Sequence, residues 1–303
     1  MTPKDILAFS IPKTLKNLRY FLQLIMVKID LHAHTNISDG NLFPQELIDL
    51  AIERKIPVIA ITDHDNIDAI EQALQYAKDR PLEIVPGVEF TADPKDLAKE
   101  IHVVGLFIDY KNKEILELRK KHKEAGQIRG KKIIKKLNEL GYDITFEELM
   151  TTGHSGRPFI SKILMNRYPK FKERSQVFDE LLGKQGKAFV KAETTPMKEI
   201  ISVIHNAGGT AILAHPAYLR DNAEKVINEF VKLKGDGIEV DCRYESFGEH
   251  AQSLREKFRK IAKDNNLLIS GGTDFHSTEL SGPLGEWGIT QEEFSKLKNA
   301  KEI

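Results

Sequence analysis

The stretch VKIDLHAHTNISDG (27–40) reads as a short apolar strand that ends in two histidines, His32 and His34, with Asp39 in the turn beyond. Side chains along a strand repeat every two residues, so the H-x-H spacing puts both imidazoles on one side. The same pattern recurs outward from this point. Apolar runs rich in β-branched residues are VKIDL (27–31), PVIAIT (57–62), EIVPG (83–87), IHVVGLFI (101–108), TAILA (210–214), GIEV (237–240) and LLISGG (267–272). Nearly continuous apolar character marks strands covered on both faces. Helical patterns lie between them. Pro44 opens QELIDLAIERK, Asp65 or Asn66 can cap IDAIEQALQYAKD, and Thr195-Pro196 opens MKEIISVIHNA before Gly208. ESFGEHAQSLREKFRKIAKD precedes the last strand. About seven strands in such alternation predict an α/β fold closed as a slightly short parallel barrel, with an open doubly wound sheet as the alternative.

The alternation breaks between residues 111 and 195. A helix is expected from about Lys113 to Leu140, stopped by Gly141, and the pair Thr145…Glu148 announces another. This stretch reads as an inserted helical subdomain, so the barrel domain comprises 27–110 and 196–303. Residues 111–191 carry 20 Lys and Arg against 10 Asp and Glu, leaving 25 against 35 elsewhere in a chain of zero formal charge. A basic lid facing an acidic remainder suits an anionic substrate met by carboxylate-held cations.

Residues 1–26 read as an N-terminal extension or a misplaced start. The run YFLQLIM (20–26) is short, is interrupted by Gln23 and is followed by no small-residue cleavage site, so it is not a signal peptide. It is also far below the length of a membrane span. The lone cysteine, Cys242, excludes an internal disulfide and a thiolate metal cage, and it fits the cytoplasm.

The candidate site residues share one kind of position, in or just beyond an apolar strand: His32, His34, Asp39, His64, Glu89, His102, His215, Asp274 and His276. Singly, each histidine is best read as a packed or surface residue. Nine such groups at strand ends argue for convergence on metal, because imidazole and carboxylate together suit Zn, Mn or Fe. His205 reads as packing on an apolar helix pattern, and His122 and His250 as exposed helix residues.

The motifs DLHAHTNISDG (30–40), ITDHD (61–65), PGVE (86–89), IHVVG (101–105), ILAHP (212–216) and GGTDFH (271–276) resemble the PHP superfamily, named for polymerase and histidinol phosphatase domains. The resemblance runs in order from Met26 to about Pro283. It implies a distorted seven-stranded parallel β/α barrel, here with the inserted helical subdomain, and two to three divalent ions, Mn, Fe or Zn. By matching motif, His32, His34, Glu89 and Asp274 would hold one ion. Glu89 would bridge to a second held by His102 and His215, and Asp39, His64 and His276 would hold the third. GHSGRPFIS (153–161) resembles a motif of the subgroup that acts on 3′,5′-nucleoside bisphosphates and short RNA 5′ ends. That likeness makes Arg157 a phosphate ligand and His154 a donor to phosphate or to the leaving oxygen. Phe159 stands where the family shows His, and GTDFHS where GSDFHG is commoner. Lys187 is a further candidate phosphate contact.

The implied activity is hydrolysis of a phosphate ester by a metal-bridging hydroxide, with Arg157 or the third ion neutralising the phosphate. The expected partner is a small phosphorylated substrate, a nucleotide or short oligonucleotide, with no membrane and no protein partner indicated. The alternatives are a histidinol phosphate phosphatase, an amidohydrolase-like C–N hydrolase and a non-catalytic regulatory module.

Overall fold

The computed structural model describes residues 29–300 except positions 96 and 99, so the expected extension 1–26 lies outside the described residues. Within them six strands form one sheet in chain order: β1 (Val58–Ile61), β2 (Glu83–Ala92), β3 (Ile101–Leu106), β4 (Thr210–Leu213), β5 (Gly237–Cys242) and β6 (Leu268–Gly272). The pairs β1–β2, β4–β5 and β5–β6 are parallel, whereas β3 runs antiparallel to both β2 and β4.

This mixed six-stranded sheet corrects the expected seven-stranded parallel barrel in two respects. A parallel crossover needs a dozen or more residues, usually a helix. Residues 93–100 are too few, so the chain turns back from β2 and β3 is reversed. Of the first expected strand (27–31), the described residues 29–31 also form no regular strand. Around it only isolated bridges form, Asp30 with Ile59 and Ala33 with Phe275, supported by Asp30 N–H to Val58 O and Leu31 N–H to Gly271 O, both 3.1 Å. The buried Asp30 carboxylate accepts from the Thr273 amide (3.0 Å) and hydroxyl (2.6 Å) and from the Gly285 amide (3.0 Å). Side-chain bonding of this kind replaces a regular ladder.

Helices cover the strands. α1 (Pro44–Glu53) and α2 (Ile70–Ala77) flank β1, and α2 starts after Ala69 with no side-chain cap rather than at Asp65 or Asn66. α3 (Lys113–Glu139) leaves β3, with Asn112 accepting from the Glu114 amide at its start. α4 (Phe146–Thr151) is capped by Thr145 as the sequence predicts, and α5 (Arg157–Arg167) and α6 (Arg174–Val177) follow. Ile133, Leu137, Leu149, Ile160 and Leu164 join a hydrophobic cluster whose buried members all lie between residues 133 and 188. The chain returns through α7 (Met197–Asn206) to β4.

α8 (Ala223–Lys232) buries Ala223, Val226, Ile227 and Phe230, an apolar stripe at helical spacing, against the sheet. A Cβ on Gly235 would run into the buried Phe230 ring, so this glycine is required by close approach. Phe230 is fully buried, and Phe230→Ala should lower the unfolding free energy by about 3–5 kcal/mol. A urea titration giving a loss below about 1 kcal/mol would show that the site collapses around the deletion. α9 (Ala251–Asp264) precedes β6, and α10 (Thr278–Ser281) and α11 (Gln291–Asn299) end the described chain. Among the described residues no helix is long and apolar enough to cross a membrane.

Candidate metal centre

The reversal of β3 places its first residues at the same end of the sheet as the carboxyl ends of its neighbours. His102, the second residue of β3, therefore meets His215, which lies just past the end of β4. His64 follows β1, Glu89 lies inside β2, and Asp274 and His276 follow β6. His32, His34 and Asp39 arrive from the bridging segment. All nine expected ligands are brought together.

They form three interlocking groups within ligand reach: His32, His34, Glu89 and Asp274; His34, Asp39, His64 and His276; and His64, Glu89 and His102. His215 joins the last through Nε2, 3.0 Å from Glu89 Oε1 and 3.4 Å from His102 Nδ1. His215 and Asp274 both hold positive φ, 29° and 50°. Such conformations cost energy in non-glycine residues and cluster at functional sites.

The spacing fits a cation. Ligand atoms about 2.1 Å from one ion stand roughly 3.0 Å apart at right angles and roughly 3.4 Å apart at tetrahedral angles. In the first group His32 Nε2 lies 3.1 Å from His34 Nε2, 3.1 Å from Glu89 Oε2 and 3.4 Å from Asp274 Oδ1. His34 Nε2 lies 3.3 Å from Glu89 Oε2 and 3.1 Å from Asp274 Oδ1. These five edges fall in the required range. Glu89 Oε2 and Asp39 Oδ1 are also buried without a hydrogen bond among the described residues, an arrangement costly for a carboxylate unless a cation completes it.

Charge gives the same indication. Burial pushes the Glu89 carboxyl up, but His64, His32 and His102 outweigh it and hold the group well below the usual range. Burial pulls the imidazoles down, yet Asp274 and Glu89 raise His34 to about 10, and Glu89 raises His102 to about 9. Protons thus supply, in the metal-free protein, the positive charge the carboxylates demand.

Several supporting residues escaped the sequence reading. Glu239, buried in β5, lies 2.7 Å from His32 Nδ1 and accepts from the His215 amide at 2.7 Å. It contacts two candidate ligands at once, as outer carboxylates do around metal-binding histidines. A glutamate within the apolar run GIEV was the available signal. Asp63 accepts from the Thr35 amide and hydroxyl, each at 2.7 Å, and from Ser38 at 2.6 Å, which fixes the loop leading to Asp39. His122 is not an exposed helix residue: its side chain is buried, with Nδ1 2.6 Å from Asp65 and Nε2 2.9 Å from the Thr195 hydroxyl. His205, expected to pack, is exposed and lies 2.8 Å from Asp236, while His250 is exposed as expected.

A cleft of about 620 Å³ opens beside the cluster, lined by Asp39, His64 and His102 on one side and by residues of α3 and α5 on the other. Five cations line it: Arg119, Lys123, Arg129, Arg157 and Arg174. Arg157 Nη2 pairs with Glu100 at 3.2 Å. Burial and the neighbouring Arg157 guanidinium pull Arg129 down to about 10. His154 donates from Nε2 to the Asn36 carbonyl at 3.0 Å, and its ring stacks on Phe159 at 4.1 Å. Phe159, the departure from the family motif, thus packs against His154. Lys187 is exposed and does not line the cleft.

The PHP domain family matches residues 30–270. A 5′-3′ exoribonuclease of Haemophilus influenzae is 34% identical over 257 residues, covering 82% of this chain and 90% of that protein. A 3′,5′-nucleoside bisphosphate phosphatase of Chromobacterium violaceum is 28% identical, covering 83% of this chain and 88% of that one. A solved structure described as an amidohydrolase from Chromobacterium violaceum, with bound sulfate and no metal, superposes with a TM-score of 0.77 at 27% identity, covering 90% of this chain and 96% of that one. With its strand-end histidines and carboxylates gathered as three groups of ligands, the chain belongs to the PHP domain family.

Proposed function

We propose that this chain is a metal-dependent phosphoesterase that hydrolyses a nucleotide-like substrate, a 3′,5′-nucleoside bisphosphate or the 5′ end of short RNA. The observation that carries the reading is the ligand cluster centred on Glu89 beside a cleft lined by five cations. Two of the relatives named above are a 5′-3′ exoribonuclease and a 3′,5′-nucleoside bisphosphate phosphatase. Sulfate, held by the solved Chromobacterium structure, is a tetrahedral oxyanion like phosphate.

In this proposal His32, His34, Glu89 and Asp274 hold one ion, Glu89, His102 and His215 a second, and Asp39, His64 and His276 a third. The candidates are Mn, Fe or Zn. Divalent ions at such a site supply positive charge against phosphoryl oxygens and acidify water. The chain's own residues do the rest. Arg157 presents a planar fork of donors suited to a phosphate, which would displace Glu100 from it. The Nε2 donor of His154 is engaged by Asn36, so this histidine positions the loop before Asp39 rather than donating to the leaving oxygen. Residues 111–195 act as a basic lid that closes over the substrate, and a reducing cytoplasm is the expected setting.

The test is phosphate release from 3′,5′-bisphosphoadenosine by metal-stripped protein refilled with Mn²⁺, with a 5′-phosphorylated RNA trimer in parallel. Release from the bisphosphate assigns the mononucleotide activity, and trimming of the RNA alone assigns the exonuclease. Silence on both with ions bound would overturn the nucleotide reading and direct attention to histidinol phosphate and amide substrates.

A further inference from the structure

We infer that Tyr218 and Phe247 form a nucleobase-stacking subsite against the metal centre, outside the basic cleft; the inference rests on the nucleotide reading above. Tyr218 stands three residues after His215, on the 3₁₀ segment Pro216–Asn222 that leaves β4. Its ring lies edge-on to the His215 ring with centroids 5.8 Å apart. The phenol donates to the Arg243 carbonyl at 3.1 Å, which pins the ring, yet Tyr218 remains 46% exposed. An exposed aromatic ring directly beside candidate metal ligands has no part in the hydrolytic arrangement described above.

Phe247 extends the surface from the next loop. It sits on the 3₁₀ segment Glu245–His250 after β5, 5.4 Å from Tyr218 by ring centroids. The fully buried Tyr244 supports both rings from below, at 6.2 Å and 6.1 Å. The Arg220 guanidinium stands 5.0 Å over the Phe247 ring. Arg220 holds φ 56° and ψ −131°, a conformation side-chain-bearing residues rarely adopt. The loop is thus held in an unfavourable backbone state where its guanidinium reaches an aromatic face.

The chemistry of the rings and the arginine beside them selects the occupant. Polar groups border the two rings: the Arg220 guanidinium over Phe247 and the Arg243 carbonyl at the Tyr218 phenol. Flat aromatic faces with an arginine alongside bind bases by stacking with little sequence preference. None of these residues lines the cleft that holds Arg129 and Arg157. A phosphate at the metal centre would therefore have a charged channel on one side and a stacking surface on the other. Phosphodiester groups fit the first and a base fits the second.

The test compares kcat/KM for 3′,5′-bisphosphoadenosine with that for the same bisphosphate on a ribose lacking the base, using the Mn²⁺-loaded protein. The wild type should prefer the base-bearing substrate by about tenfold or more, the size of one stacking contact. Tyr218→Ala should bring that ratio toward one, mainly through KM, while Tyr218→Trp should retain it and Phe247→Ala should reduce it in part. A wild-type ratio near one, with both substrates turned over, overturns the subsite and leaves the phosphoesterase reading standing. A Tyr218→Ala variant that loses activity equally on both substrates also overturns it, because the ring would then only support His215. No turnover of either substrate by the wild type would remove the nucleotide reading and the subsite together.

Discussion

Turnover by Glu89→Gln is expected to fall by about 10³-fold or more, with the protein still folded and holding fewer ions. Glu89 is the one carboxylate that approaches five imidazoles in the cluster. Its Oε2 lies 3.1 Å from His32, 3.3 Å from His34 and 3.1 Å from His64, and its Oε1 lies 3.0 Å from both His102 and His215. Glutamine fills the same volume but removes the charge shared by two groups, and it turns an N–H₂ toward an imidazole nitrogen that would ligate the ion. An ion is worth several kcal/mol of charge stabilisation in phosphoryl transfer, and about 4 kcal/mol corresponds to 10³ in rate. Asp39→Asn, which touches only the group of His34, His64 and His276, should cost less, about 10- to 100-fold. The checks are kcat/KM on the best nucleotide substrate, metal content by elemental analysis and near-ultraviolet circular dichroism as a fold control. Glu89→Gln protein with full ion stoichiometry and activity within tenfold of wild type would show that Glu89 is not the shared ligand.

What the sequence could and could not reveal follows from where each constraint acts. Residue type and strand-end position are local properties, so all nine ligand candidates were legible, and each lies in the cluster. Strand direction is not local. The run IHVVGLFI has the same composition whichever way it is traversed, and only the short connection of residues 93–100 reverses it. VKIDL looks like a strand by propensity, yet its described residues 29–31 make isolated bridges while the Asp30 carboxylate accepts amides of the neighbouring loops. Helical periodicity placed His122 on an exposed face, because a single helix pattern carries no information about the rim of the sheet that α3 crosses. There it meets Asp65, which also accepts from the Thr91 amide at 2.9 Å. Lys187, exposed and away from the cleft lining, was not placed by sequence for a similar reason. Its basic surroundings are shared by the whole segment, and charge composition does not distinguish the wall of the cleft from the outer surface.

Metal uptake by the metal-free protein is expected to release protons and to tighten by about tenfold per pH unit for each proton displaced, across roughly pH 7 to 9. A ligand imidazole must be neutral, whereas carboxylate neighbours hold His34 protonated up to about pH 10 and His102 up to about pH 9. Each ion that enters therefore replaces protons that were balancing Glu89 and Asp274. The sign for stability follows from the same shifts. Both imidazoles have folded-state pKa values above the unfolded value of about 6.5, so their contribution is fully present below that pH. It is lost as pH rises through about 9 and then about 10. The metal-free protein should accordingly lose thermal stability between pH 7 and pH 10, and the Mn²⁺-loaded protein should lose much less, since the ions now carry the balancing charge. Calorimetric Mn²⁺ titrations at pH 7 and pH 9, each in two buffers of different ionisation enthalpy, count the protons released. Uptake with equal affinity at both pH values and no proton release would mean that His34 and His102 are already neutral before any ion arrives. The carboxylates would then be balanced by other groups, and only the ligand spacing would point to a cation at the centre.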